Sequence, residues 1–204
     1  MKVLVTGFEP FGSWQRNPSG ETVRHLDGAT IVDAEITGLI LPVSYRRAAA
    51  PVIAAIDELR PDVVLNLGQG KAVGVRVERV AVNRCEAPTG GDNDKYEPQG
   101  EPVVPGGPAT YDATLPVAEI VSLLTSINIE AAPSDSAGEF LCNYIMYATL
   151  HHIATHRLPI RAGFIHASPL SDELQDGQGQ GMSLKKWIEF TEAVLYFLRS
   201  SVTV

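Results

Sequence analysis

The 204-residue chain is 45% hydrophobic and 20% charged, with 18 Gly and 14 Pro, an ordinary globular usage that excludes the disordered, collagen-like and coiled-coil classes. Sixteen Lys and Arg against 24 Asp and Glu give a net charge of -8, and the basic residues are scattered, so nucleic acid is not an expected partner. A chain of this length buries most of the surface its unfolded form would expose, so one domain over residues 1–204 is expected, folding without disulfide or metal.

No stretch reaches the roughly 18 to 20 apolar residues of a membrane span, and the opening MKVLVTGFEPFG lacks the apolar core and cleavage site of a signal peptide. Cys85 and Cys142 are too few for a disulfide framework. The expectation is a cytoplasmic protein without membrane association, its thiols free in a reducing compartment.

Along the chain, Val- and Ile-rich runs alternate with segments of helical period. Residues 2–6 read as a strand and 31–43 contain another. Residues 44–60 read as a helix with Ala49, Val52, Ile53 and Ile56 on one stripe. A buried-type strand is expected over 62–67, a strand or hairpin over 73–83, and a helix with Pro in its first turn over 116–126. A short strand at 129–133, a helix at 138–157, a strand at 160–166 and a helix at 183–201 complete the pattern. That order predicts a single three-layer α/β domain with a mostly parallel, twisted central sheet flanked by helices. Two stretches are irregular. Residues 84–113 hold five Gly and five Pro, and a segment so long without periodicity covers a site, mediates assembly or is mobile. Residues 167–182 contain GQGQG and read as a flexible surface loop.

Cys142 follows the turn-like PSDSAG and falls in the first helical turn, where unpaired backbone N–H groups and the helix dipole favour a thiolate. Inert core packing is the competing reading of any free cysteine. His166 closes a strand at the sheet edge where open α/β folds place ligands, so it can meet a helix N-terminus. A thiol nucleophile needs such a base, and the base needs a third group to orient it. Glu78 interrupts the apolar VGVRVERVAV and is the leading candidate, although Arg76 and Arg79 beside it are equally consistent with a surface salt bridge.

Weaker signals point elsewhere. SDSAG approaches the G-x-S-x-G elbow with Ser136 as nucleophile, which would make a serine esterase, but Ser134 replaces the first Gly. GQGKAVG follows a strand with the wrong spacing for a dinucleotide or P-loop fingerprint, leaving a non-catalytic ligand- or nucleotide-binding protein as an alternative from another class. His152 and His156 stand four apart without the Glu of HExxH, and a solvated helix face is expected rather than a metal site. Phe8 and Phe11 flank Pro10 in a loop after the first strand, where such rings plug the core or line an apolar pocket.

TGFEPFG with NPS, LGQ, ERVAVN, GGPATYDATLP, SAGEFLCNY and GFIH, in this order and spacing, resemble pyroglutamyl-peptidase I, a cysteine peptidase family, over residues 6–166. The resemblance implies that Cys142 is the nucleophile, His166 the base and Glu78 the acidic member. It also implies a ring pocket lined by Phe8 and Phe11, with Gln69, Phe140 and Asn17 nearby. The substrates implied are pyroglutamyl peptides, with no cofactor, no metal and a homotetramer. One departure stands out: after ERVAVN the family usually continues with a segment like EARIPDN, whose Arg assists the oxyanion region, and here Pro88 occupies the place of that Arg. Either the backbone at the start of the Cys142 helix serves alone, or another base such as Arg84 substitutes, or activity is reduced. Cys85 lies in the same departing segment and reads as incidental.

Overall fold

The computed structural model describes residues 1–174 and 180–200. The elements run β1 (Lys2–Phe8), α1 (Pro18–Leu26), β2 (Thr30–Ile31), β3 (Ala34–Leu41), α2 (Ala49–Leu59), β4 (Val63–Gln69) and β5 (Val75–Glu78). They continue with β6 (Val80–Val82), β7 (Thr110–Asp112), α3 (Val117–Ser126), β8 (Ala131–Ser134), α4 (Leu141–Thr155), β9 (Arg161–Ala167) and α5 (Leu184–Ser200). Seven strands form one sheet in the order β2-β3-β1-β4-β9-β5-β8, and β6 pairs with β7 as a separate ribbon. β1 lies parallel to β3 and β4, β4 to β9, and β5 to β8. Only β2 against β3 and β5 against β9 are antiparallel within the sheet.

Strands buried on both faces read as continuous apolar runs, and the side-chain period of two then sends alternate residues to different layers. Val3, Val5, Val63, Leu65, Leu67, Val75, Val77 and Ile165 point towards α1, α3 and α5, where Trp187 and Phe190 fill the space. Leu4, Phe8, Val64, Ala162 and Phe164 point the other way, towards α2 and α4. Among the described residues no helix is long and apolar enough to cross a membrane.

Several boundaries differ from the sequence expectation for identifiable reasons. α2 starts at Ala49 rather than at residue 44, because Pro51 has no N–H to donate and is tolerated only in a first helical turn. α4 starts at Leu141 rather than at 138, because Gly138 has φ +74, a left-handed conformation that glycine adopts freely. The apolar run 73–83 breaks at Arg79 into β5 and β6, with the Arg79 guanidinium turned out to Asp135 at 2.6 Å. The irregular stretch 84–113 contains β7, which returns to pair with β6 in the register Val80↔Asp112. Of the stretch 167–182, residues 175–179, which include the first three residues of GQGQG, lie outside the described residues, as does residue 201 at the end of the last expected helix.

Candidate active site

The site is built at the carboxyl ends of β4 and β9, on the α2/α4 side of the sheet. His166 is the second-last residue of β9, and its side chain is 13% exposed. β5 runs antiparallel to β9 with Arg76 opposite His166 and Glu78 opposite Phe164. Residues two apart on a strand share a face, so Glu78 reaches His166 diagonally from one pair deeper in the sheet. Its Oε1 accepts from His166 Nδ1 at 2.8 Å. The Glu78 side chain is only 2% exposed, and its Oε2 is buried without a protein hydrogen bond. A carboxylate held this way cannot be neutralised by solvent, so the imidazole is its compensating charge. The surface salt-bridge alternative for Glu78 is thereby set aside: Arg79 is bound to Asp135, and Arg76 donates to the Val75 carbonyl.

Cys142 is the second residue of α4 and is partly exposed. The N-cap residue Phe140 supplies no side-chain cap, so the first-turn N–H groups keep their donors for whatever occupies the cleft. The thiol is within hydrogen-bonding reach of His166. Burial works against a charge on the imidazole, but Cys142 and then Glu78 outweigh it and raise the His166 pKa well above its ordinary value. The arrangement therefore favours a charged imidazole held between the thiol and the carboxylate. Gly68 leaves the floor beneath the thiol open: a Cβ there would fall 3.0 Å from the Cys142 sulfur and 2.7 Å from the Phe164 ring.

These groups open onto a cleft of about 1240 Å³. Phe8, Phe11, Asn17, Gln69 and Phe140 all line it. The Phe11 and Phe140 rings stand 5.1 Å apart, centroid to centroid. Phe8 is mostly core and packs on Phe164 at 6.5 Å. Asn17 is first a structural residue: its Oδ1 caps α1 through the Ser19 N–H at 3.1 Å, and its Nδ2 donates to the Glu9 carbonyl. Trp14, Leu141 and Pro169 join the wall without having been singled out in the sequence, since no local pattern separates them from ordinary loop and helix residues.

The segment 84–109 covers the cleft. Glu86, Ala87 and Pro88 form part of the wall, and buried Asp92 fixes the segment by accepting from the backbone N–H groups of Tyr45, Asp94 and Tyr96. Asn93 donates to Glu9 and to the Pro10 carbonyl. From α4, Asn143 exchanges hydrogen bonds with the backbone of Val82 and donates to the Arg84 carbonyl, and Tyr147 donates to the Pro108 carbonyl at 2.7 Å. Tyr45 was not expected to matter, yet its hydroxyl lies against the Glu86 carbonyl at 2.6 Å and the Glu139 carbonyl at 3.1 Å. It thereby ties the cover to the residues just before α4. Burial drives the Tyr45 pKa up, which keeps that hydroxyl a donor.

Other sequence candidates do not assemble. Ser136 is exposed on the cleft wall, where its hydroxyl accepts from Gly138 N–H and makes no hydrogen bond to His166 among the described residues. GQGKAVG leads into β5 and not into a helix, so no helix N-terminus is present to receive a phosphate. His152 is not on a solvated face: it pairs with Asp57 of α2 at 2.9 Å with 11% of its side chain exposed. Among the described residues no cluster of His, Cys, Asp and Glu could hold a metal. Arg84 is bound to Glu86 and Glu139 and is not on the cleft wall. Cys85 is buried, and burial pushes its thiol pKa up to about 12, the opposite of what a nucleophile requires.

Geometry of this kind belongs to the class of cysteine hydrolases, in which a helix terminus and a carboxylate-backed imidazole keep a thiol charged. Within that class the match is specific: the family model described as pyroglutamyl peptidase matches residues 1–195, and the chain belongs to that family. It is 41% identical over 183 residues to the pyrrolidone-carboxylate peptidase of Pyrococcus furiosus, covering 89% of this chain and 87% of that protein. It is 44% identical over 169 residues to the pyrrolidone-carboxylate peptidase of Mycobacterium marinum, covering 81% and 76%. Crystal structures of pyrrolidone carboxyl peptidase from P. furiosus superpose with a TM-score of 0.93 at 37% identity, covering 98% of this chain and 99% of that one. The enzyme from Thermococcus litoralis superposes with a TM-score of 0.91 at 37% identity, covering 98% and 96%.

Proposed function

We propose that this protein removes the N-terminal pyroglutamyl residue from peptides, with Cys142 as nucleophile, His166 as general acid and base and Glu78 as the orienting carboxylate. The observation that carries the reading is the buried 2.8 Å contact between Glu78 and His166, whose other side faces the thiol at the start of α4. Pyroglutamate is a neutral lactam with no free amine. A slot between Phe11 and Phe140 suits its ring, and the Gln69 side chain, which makes no hydrogen bond to the described residues, is available to its amide. Phe8 and Asn17 complete the wall.

The Cys142 thiolate attacks the pyroglutamyl carbonyl, and the resulting oxyanion is held by first-turn N–H groups of α4. His166 gives its proton to the departing amine, and then takes one from the water that hydrolyses the thioester. Pro88 contributes no donor to this wall, so the backbone serves alone. A single oxyanion donor is typically worth about 100- to 1000-fold in rate, so its absence lowers turnover without abolishing the chemistry.

The reading extends to one catalytic domain over residues 1–204, a cytoplasmic location supported by two free thiols, and a homotetramer supported by the family resemblance and testable by sedimentation equilibrium. The decisive experiment compares a fluorogenic pyroglutamyl amide with its open-chain glutamyl and its prolyl analogues. Only the lactam is expected to be cleaved, and Cys142→Ala to lose at least about 10⁴ in kcat. Cleavage of the analogues but not the lactam, or undiminished turnover by the variant, overturns the reading.

A further inference from the structure

The loop GQGKAVG and the strand after it place two cations beside His166 that the chemistry above does not use. Arg76 is the direct cross-strand partner of His166, so the two side chains leave the same face of the sheet with Cβ atoms about 5 Å apart. Arg76 is half-buried on the cleft wall. Its one hydrogen bond to the described residues runs from Nη1 to the Val75 carbonyl at 3.0 Å, and no described carboxylate pairs with it. The carboxylates of the cleft are engaged elsewhere: Glu78 by His166, and Glu86 and Glu139 by Arg84. Lys71 also lines the cleft, next to Gly70, whose Cβ would stand 3.1 Å from that of His166.

We propose that Arg76, reinforced by Lys71, is a carboxylate-binding subsite for the residue that follows pyroglutamate. The inference rests on the proposed function and deepens it. His166 protonates the departing amine, so the leaving residue lies on the His166 side of the thiol, away from the Phe11–Phe140 slot. Its α-carboxyl carbon is two bonds from that nitrogen, about 2.5 Å away, and an acidic side chain starts from the same Cα. A guanidinium can bind a carboxylate with two donors, and Nε and Nη2 of Arg76 make no hydrogen bond to the described residues. A cleft larger than the roughly 300 to 1,000 Å³ of ordinary small-ligand pockets has room for this residue beyond the ring. The preferred substrates are therefore pyroglutamyl dipeptides with a free carboxylate, or peptides with Asp or Glu second.

The test measures kcat/KM for pyroglutamyl-alanine against pyroglutamyl-alanine amide, and for pyroglutamyl-glutamate α-amide, its side-chain carboxylate free, against pyroglutamyl-glutamine α-amide, in the native protein and in Arg76→Gln. A preference of roughly tenfold for the carboxylate member of at least one pair, shrinking towards unity in Arg76→Gln and in high salt, is the expected result. The first pair reads a free α-carboxylate and the second an acidic side chain. Equal rates within both pairs, or a preference that survives Arg76→Gln, overturn the subsite while leaving the peptidase reading intact. Calorimetry with Cys142→Ala and the same pairs reads the subsite without turnover. Absence of cleavage by the native protein, together with carboxylate-selective binding here, would sink the peptidase reading and keep the subsite; equal binding within both pairs would overturn the subsite.

Discussion

The two faces of the central sheet are built from the same strands and do different work. Towards α1, α3 and α5 every inward residue of β4 and β5 is aliphatic, and α5 closes the layer with Trp187 and Phe190. Towards α2 and α4 the alternate residues of those strands are Val64, Asn66, Gly68, Arg76 and Glu78, and β9 adds His166. Here the buried Thr6 hydroxyl donates to Asn66 at 2.7 Å and Asn66 donates to the Gly163 carbonyl, because an unmade bond costs more than a made one gains. One face thus stabilises the sheet, and that stability lets the other carry a buried carboxylate, an imidazole and a thiol.

Substitutions on the two faces should separate accordingly. The largest effect is expected from Glu78→Gln, which leaves the shape but removes the charge that orients His166: kcat should fall by about 10³ to 10⁴, with little change in thermal midpoint. Its pH profile supplies a second check. Glu78 helps hold the His166 pKa above its ordinary value, so the protonated imidazole persists into alkaline solution and is lost as pH rises through the folded pKa. The variant's alkaline limb should move to lower pH. On the opposite face Leu65→Ala should cost about 2 to 5 kcal/mol of stability by denaturant titration, with kcat retained in the folded fraction; a selective loss of kcat would break the division. Gly68→Ala pushes a methyl against the sulfur and the Phe164 ring, and a shift of that order should lower kcat by about 100-fold. Tyr45→Phe unties the cover from the residues just before α4. It should raise KM a few-fold, in keeping with about 1 kcal/mol for a hydrogen bond, while kcat stays close to native. Smallest of all, Cys85→Ser should leave the rate near native, and iodoacetamide at pH 8, read by mass spectrometry, should label Cys142 and spare buried Cys85.

Much of the site was legible because its chemistry sits at positions the local sequence defines. Cys142 is at a helix start, His166 at a strand end, and Glu78 interrupts an apolar alternation, where the sequence leaves a surface salt bridge equally open and the contact with His166 decides. The reversal of β5 was not legible: a four-residue strand carries no sign of its direction, which is set by its pairing with β9, 88 residues away at the Glu78–His166 contact. That reversal is what puts Glu78 below His166 and Arg76 level with it. Tyr45 was missed for the same reason, since its partners lie 41 and 94 residues along the chain. Arg84 could only be weighed by count and type in the sequence, and its pairing with Glu86 and Glu139 removes it from the cleft wall.

The cover over the cleft is long, but it is already seated: Asp92 gathers its turn, Asn143 and Tyr147 hold its two ends to α4, and the Tyr45 hydroxyl fastens it again at Glu86. A segment tied at so many points does not have to be ordered by the arriving peptide, so little binding free energy is diverted into freezing a loop. Selectivity is then written into a slot of fixed shape rather than into a closing motion, and the same helix that presents the thiol sets the height of the roof above it.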